Sequence, residues 1–202
     1  MALMTYARLG QACLHHQPVG EESKKRSQED SETPGTVTNI LLQAWSFIDS
    51  VNRLRVLLQA APGFKKNAPG LRVLLRATET VEGLRNYVQH LDKESLKVAE
   101  RGHPIWGSLS WVETGSADTR TVAARLLIPG RLTVSSGYPV VNPAGKSIRP
   151  PIDLISLTAN ELTVSLTDAA DAVVRFRRRL GLALGRVQIG KDAVATIVID
   201  AD

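Results

Sequence analysis

A guanidinium and an imidazole lie five residues apart in the segment Arg85-Asn86-Tyr87-Val88-Gln89-His90. Arginine carries a permanent charge that suits a phosphate, and histidine exchanges a proton near neutral pH. If the segment is helical, these two residues are separated by about one and a half turns. Their types and spacing suit the binding of a phosphodiester and a proton transfer beside it.

Two apolar-periodic segments are predicted to position this pair. The first helix is expected from about Val37 to Ala61, stopped by Pro62-Gly63, and the second from Leu71 to about Glu100. The short connection between them predicts antiparallel packing. Arg85 and His90 would flank the apolar stripe of the second helix, about 140° apart around its axis. They converge only if the long Arg side chain reaches across or if a second protomer shares the site.

The hexapeptide resembles the R-x4-6-H motif of the HEPN family (higher eukaryotes and prokaryotes nucleotide-binding domains), in which Asn often follows the Arg. The resemblance covers about residues 37–101 and implies a helical domain. Active members of the family are commonly metal-independent endoribonucleases. The resemblance implies that His90 assists proton transfer while the RNA 2′-hydroxyl attacks the adjacent phosphate, and that Arg85 stabilises the developing charge. Asn86 would position the reacting groups, and Asp49, on the preceding helix, would orient the arginine.

The same resemblance gives the expected partners. RNA is the expected substrate, neither a metal nor another cofactor is needed, and the chain is expected to form a homodimer. A toxin or defence effector of this kind would also meet an antitoxin or another protein partner. A noncatalytic RNA-binding or protein-interaction adaptor is the alternative, since Arg85, Asn86 and His90 also suit a solvated helix surface. Asp49 lies four residues before Arg53, which is the spacing of an ordinary surface ion pair.

Charge and cysteine content narrow the class of protein. The net charge is +5, and residues 37–150 carry 15 Lys and Arg against 8 Asp and Glu. Such an excess attracts polyphosphates without giving sequence specificity, and it also suits a solvated basic surface. The single cysteine, Cys13, excludes an intramolecular disulfide framework. We therefore expect the protein in a reducing compartment, the cytoplasm. No apolar run approaches the roughly 18 residues of a membrane span, so no membrane association is expected.

The predicted fold class is α+β, in three parts. Residues 1–36 form an N-terminal segment, with a short helix over residues 2–14 and a flexible linker, and residues 37–104 form the helical HEPN-like region. Residues 105–202 form a small antiparallel sheet with a C-terminal helix, packed on that region. The sheet includes WGSLSWVETG, TVAARLLIPGRLTV and a hairpin of IDLISL with ELTVSL. Thr167 or Asp168 is expected to cap the helix, and VATIVID to form a last strand.

Other candidate motifs are weaker. Adjacent His15 and His16 point to different helix faces and need further ligands to hold a metal. Gly145-Lys146-Ser147 lacks the earlier glycine and the following helix of a phosphate-binding loop, so a plain loop is expected. The stretch from His103 to Gly107 suits either a pocket or a helix-to-strand connection with Trp106 in the core. Arg175 and Arg177–Arg179 suit either a ligand-binding surface or a solvated helix face.

Overall fold

The computed structural model describes residues 1–15, 34–62, 65, 67–115, 121–129 and 139–184. These residues form six helices and a four-stranded antiparallel sheet, which confirms the predicted α+β class. The helices come first along the chain, and the last of them follows the sheet. VATIVID, most of the predicted linker and residues 130–138 lie outside the described residues.

The first two helices confirm the periodicity of the sequence. Helix α1 spans Ala2–His15 and helix α2 spans Pro34–Ala60. Both bury one apolar face, and they pack on each other. The buried apolar residues of α2 recur at three- and four-residue spacing, as an amphipathic helix requires; they are Ile40, Leu41, Ala44, Trp45, Phe47, Ile48, Val51 and Leu58.

The prediction of one continuous helix over residues 71–100 is wrong. Three helices occupy that stretch: α3 at Pro69–Ala77, α4 at Glu79–Gln89 and α5 at Leu91–Glu100. Of the three, α4 packs on α2, whereas α3 contacts the C-terminal helix. The hexapeptide is therefore split, since its first five residues belong to α4 and His90 is the residue between α4 and α5.

The first break is caused by a side chain from α2. Arg55 is buried, and its Nη1 donates to the Leu75 carbonyl oxygen at 2.5 Å and to Thr78 Oγ1 at 2.8 Å. Thr78 Oγ1 in turn donates to the Leu74 carbonyl at 2.7 Å. A carbonyl near the end of α3 is thus satisfied by a guanidinium rather than by continuation of the helix. Arg55 Nη2 also reaches Glu82 Oε2 at 3.1 Å, which joins α2 to α4.

The second break falls at His90, whose φ of −110° and ψ of 21° depart from helical values. Its amide still donates to the Asn86 and Tyr87 carbonyls, at 3.2 and 3.1 Å. Its carbonyl accepts from the amides of Lys93 and Glu94. The backbone is therefore hydrogen-bonded on both sides of the break. Beyond it, α5 directs Val98 into the core.

The sheet contains β1 (Ser108–Thr114), β2 (Val122–Leu127), β3 (Ile152–Ala159) and β4 (Leu162–Ser165), in the order β2-β1-β3-β4. The predicted hairpin is confirmed, because β3 and β4 pair directly through Ala159 and Leu162. Its two-residue turn, Asn160-Glu161, has positive φ at both positions, 45° and 66°. This geometry matches the right-handed twist of the two strands.

A bulge interrupts β3 opposite β1. Ser110 pairs with Ser156 and Val112 with Asp153, so two residues of β3 stand opposite one of β1. Leu154, inside the bulge, has a φ of 53°, which is unusual for a leucine. The Asp153 carboxylate is buried and accepts from the Leu154 amide at 2.9 Å and from Arg149 Nη2 at 3.0 Å. These bonds hold the bulge in place.

Helix α6 covers Leu166–Leu184 and packs on β3 and α3. The cap predicted at Thr167 or Asp168 is wrong, because Ser165 Oγ accepts from the Asp168 amide at 3.1 Å. Thr167 turns inward instead, where its Oγ1 accepts from the Ile155 amide and hydrogen-bonds the Tyr6 hydroxyl, both at 2.9 Å. Buried apolar residues from α1 through α6 form one core on the helix side of the sheet.

Candidate functional site

Helix α4 is oriented by its apolar face. Val81, Leu84 and Tyr87 are buried at three-residue spacing, and the Tyr87 hydroxyl donates to the Ile105 carbonyl at 2.6 Å. The Tyr87 ring also contacts Trp45 of α2, with ring centroids 6.4 Å apart. Because this face is fixed, Asn86 and Gln89 turn toward the surface, while Val88 packs against the core.

Arg85 lies at the edge of that surface and is partly buried. Its Nη1 donates a hydrogen bond to Gln89 Oε1, four residues later on the same face of α4. The guanidinium is thereby drawn along the axis toward the last turn of the helix. One donor is used in this contact, and a guanidinium has five. The remaining donors of this planar group suit two oxygens of an anion such as a phosphate.

His90 is exposed at the junction of α4 and α5. Its backbone is hydrogen-bonded in both directions, whereas its imidazole makes no hydrogen bond or ion pair with the described residues. Both ring nitrogens are thus open to a ligand. Asn86 is exposed as well, and its side-chain amide likewise makes no hydrogen bond within the described part of the chain.

Asp49 stands apart from the other predicted site residues. Its carboxylate accepts from Arg53 Nε at 2.6 Å, and both side chains are well exposed. This is the local ion pair that its spacing predicts. The structure does not join Asp49 to Arg85, so the orienting group on Arg85 is Gln89.

Sequence reasoning missed both Gln89 and Arg55. Gln89 has a visible signal, since it stands four residues after Arg85 within one helical segment. Arg55 stands between Val51 and Leu58 at the spacing of the apolar face of α2. A cation at such a position indicates a buried group that needs partners from a neighbouring element.

The remaining candidates behave as ordinary surface or loop residues. His15 Nδ1 is bonded to the Gln11 carbonyl at 2.7 Å, and His16 lies outside the described residues. Residues 145–147 form a loop, as expected. Placing Trp106 in the core is wrong, because its side chain is 50% exposed and only its carbonyl is engaged, by Trp45 Nε1 at 3.2 Å.

The described residues lack two further kinds of feature. They contain no group of three or more His, Cys, Asp or Glu side chains placed to hold a metal ion. None of the helices formed by these residues has both the length and the apolar composition to cross a membrane.

On α6, Arg175 and Arg177–Arg179 are exposed while Phe176 between them is buried.

Comparisons of the chain with protein-family models, with curated proteins and with solved structures find no match.

Proposed function

We propose that this chain is a metal-independent endoribonuclease whose reacting groups are Arg85 and His90. The observation that carries the proposal is the hydrogen bond from Arg85 to Gln89, because it brings the guanidinium toward the helix turn that ends at His90. From the sequence alone, the two side chains are predicted to lie on different faces of the helix. With the imidazole exposed and unbonded within the described residues, the same end of α4 presents a phosphate ligand and a proton acceptor.

The chemistry uses the RNA itself as nucleophile. His90 takes the proton from a 2′-hydroxyl as that oxygen attacks the adjacent phosphorus. Arg85 binds the nonbridging oxygens, whose negative charge grows in the transition state. The bond from phosphorus to the 5′-oxygen breaks, and that oxygen takes a proton from water or from the imidazole of a second copy. The products are a 2′,3′-cyclic phosphate and a 5′-hydroxyl, while Asn86 offers an amide to the substrate.

The proposal also includes a homodimer. One helix end supplies one imidazole, whereas the reaction needs one proton removed and another delivered. A second copy packed against α4 would supply the other imidazole. A protein partner that covers this helix end would act as an inhibitor, as an antitoxin does.

The test is cleavage of single-stranded RNA in the presence of EDTA, with DNA of the same sequence as control. We expect RNA to be cut and DNA to stay intact, because DNA lacks the 2′-hydroxyl. Arg85→Ala and His90→Ala should each lose at least about a hundredfold in rate. Arg72→Ala and His15→Ala are matched controls, since both residues are exposed and lie on other helices. Cleavage that persists in both site variants would refute the proposal.

A noncatalytic RNA-binding adaptor is the second candidate, supported by the exposed arginines of α6. Arginines on an exposed helix face bind phosphates without chemistry. This function predicts RNA binding that weakens steeply with salt and no turnover under any condition. Replacing Arg177 and Arg178 together by Gln should then reduce binding, whereas His90→Ala should leave it unchanged.

A further inference from the structure

The sheet has a second face, turned away from the apolar core, which carries a row of serine hydroxyls. Ser110 of β1 pairs with Ser156 of β3, and Ser156 pairs with Ser165 of β4. The three residues therefore lie side by side across three strands. All three line a cavity of about 400 Å³ between this face and residues 139–146. A volume of this order suits a small-molecule site, for which roughly 300 to 1,000 Å³ is common.

Two of these serines have little exposed surface and line the cavity. Ser110 is 3% exposed and Ser156 is 7% exposed, and neither side chain hydrogen-bonds any described residue. Hydroxyl groups with little access to solvent normally have hydrogen-bond partners. Both side chains line the cavity, so both hydroxyls are available to a molecule inside it.

The rim of the cavity carries one charge of each sign. Lys146 and Asp168 both line it, both are exposed, and neither forms an ion pair with the described residues. The lining also includes the apolar side chain of Leu154, the residue of the β3 bulge with positive φ. Bulges and unusual backbone angles often re-aim a side chain at a binding site.

We propose that this cavity binds a small zwitterion of the α-amino acid type with an apolar side chain. The ligand carboxylate pairs with Lys146 and accepts from the hydroxyls of Ser110 and Ser156. The ligand ammonium pairs with Asp168, and the apolar side chain packs against Leu154. A neutral polyol would satisfy the hydroxyls but would leave both rim charges unused. The proposal is independent of RNA cleavage, because no residue of this cavity belongs to the Arg85–His90 segment.

The test is calorimetric titration of the full chain with free apolar amino acids, each compared with its N-acetyl and its carboxamide derivative. We expect at least one free amino acid to bind with Kd below about 1 mM, and both derivatives to bind at least about tenfold more weakly. Binding should shift the backbone amide resonances of Ser110 and Ser156. Adenosine serves as an uncharged ligand rich in hydroxyls, and we expect it to bind more weakly than the amino acid.

Two charge-neutralising variants locate the site. Lys146→Gln and Asp168→Asn should each weaken binding by at least about tenfold. Lys93→Gln and Asp92→Asn are matched controls on α5, and both should bind as the wild type does. The proposal is overturned if no amino acid binds, if the derivatives or adenosine bind as tightly, or if the control variants lose binding equally. Because all four replaced residues are exposed, loss of folding is not expected.

Discussion

Gln89 accepts a hydrogen bond from Arg85 one helical turn away, and it is also the residue that directly precedes His90. The contact that holds the cation is therefore made by a neutral amide at the end of α4. The amide holds the guanidinium without neutralising its charge, whereas a carboxylate at this position would neutralise it. The contact thus keeps the full charge of Arg85 for a phosphate.

Replacing Gln89 by Ala should lower kcat for RNA cleavage by about 10- to 100-fold, because misplacement of one reacting group is costly. Substrate binding should change little, so KM should stay near the wild-type value. Thermal stability should also persist, since Gln89 is exposed. Gln59→Ala, an exposed glutamine on α2, is the control. Wild-type kcat in Gln89→Ala would show that Arg85 needs no such support.

Asp153 should make stability depend on pH in the acid range. Burial alone would raise the pKa of its carboxyl, but hydrogen bonds from the Arg149 side chain and from the Arg149 and Leu154 amides lower it below its ordinary value of 3.8. The stabilisation is thus complete above that value and is lost as the pH falls through the lower pKa of the folded state.

Asp153→Asn should therefore cost about 1 to 3 kcal/mol in the free energy of unfolding near neutral pH. The difference from wild type should shrink as the pH falls below about 3.8, because the wild-type carboxyl is then protonated too. Urea unfolding at several pH values measures this. Asp92→Asn, at an exposed site, should show neither effect. A constant difference at all pH values would contradict the assignment.

Gly107 should not tolerate a side chain. Its φ is 76°, and a Cβ there would stand 2.4 Å from the Thr158 carbonyl oxygen and 2.9 Å from the Ala159 Cβ. Gly107→Ala should cost about 2 to 5 kcal/mol, the sum of backbone strain and overpacking. Gly145→Ala is the matched control, because its φ is 72° but nothing lies within 4 Å of the added Cβ. It should show the backbone cost alone, about 1 to 2 kcal/mol. Equal losses in both variants would rule out the close contact.

Cys13 should be inert in the folded chain. Burial raises the pKa of its thiol from 9.0 to about 12, so very little thiolate is present near neutral pH. We expect an aromatic disulfide reagent to modify it only after urea unfolding. The same shift implies that stability falls as the pH rises from about 9 toward 12, because the unfolded thiol ionises first. Rapid modification under native conditions would contradict its placement in the core.

Local sequence patterns predicted the elements that depend on local physics. The face of α2 and the β3–β4 hairpin follow from residue periodicity and from a short turn, and both are confirmed. The break at Thr78 was not predictable in this way. It depends on Arg55, which lies 23 residues earlier and reaches the end of α3 only after α2 has packed. The capping error at Thr167 has the same origin, since Tyr6 and β3 engage its hydroxyl.

The buried Arg55 also couples the opening of α3 to the opening of α4. Without this residue, the two separate helices would open independently. Its one guanidinium contacts the end of α3 and a side chain in the first turn of α4. Opening either helix end would leave the buried guanidinium without one of its partners, which is costly. Residues 69–89 should therefore open as one cooperative unit, with the amide hydrogens of α3 and α4 sharing one free energy of opening in hydrogen exchange. The segment that carries Arg85 and Gln89 thus draws its rigidity from a cation of α2, which contacts α4 at Glu82, rather than from its own helical propensity.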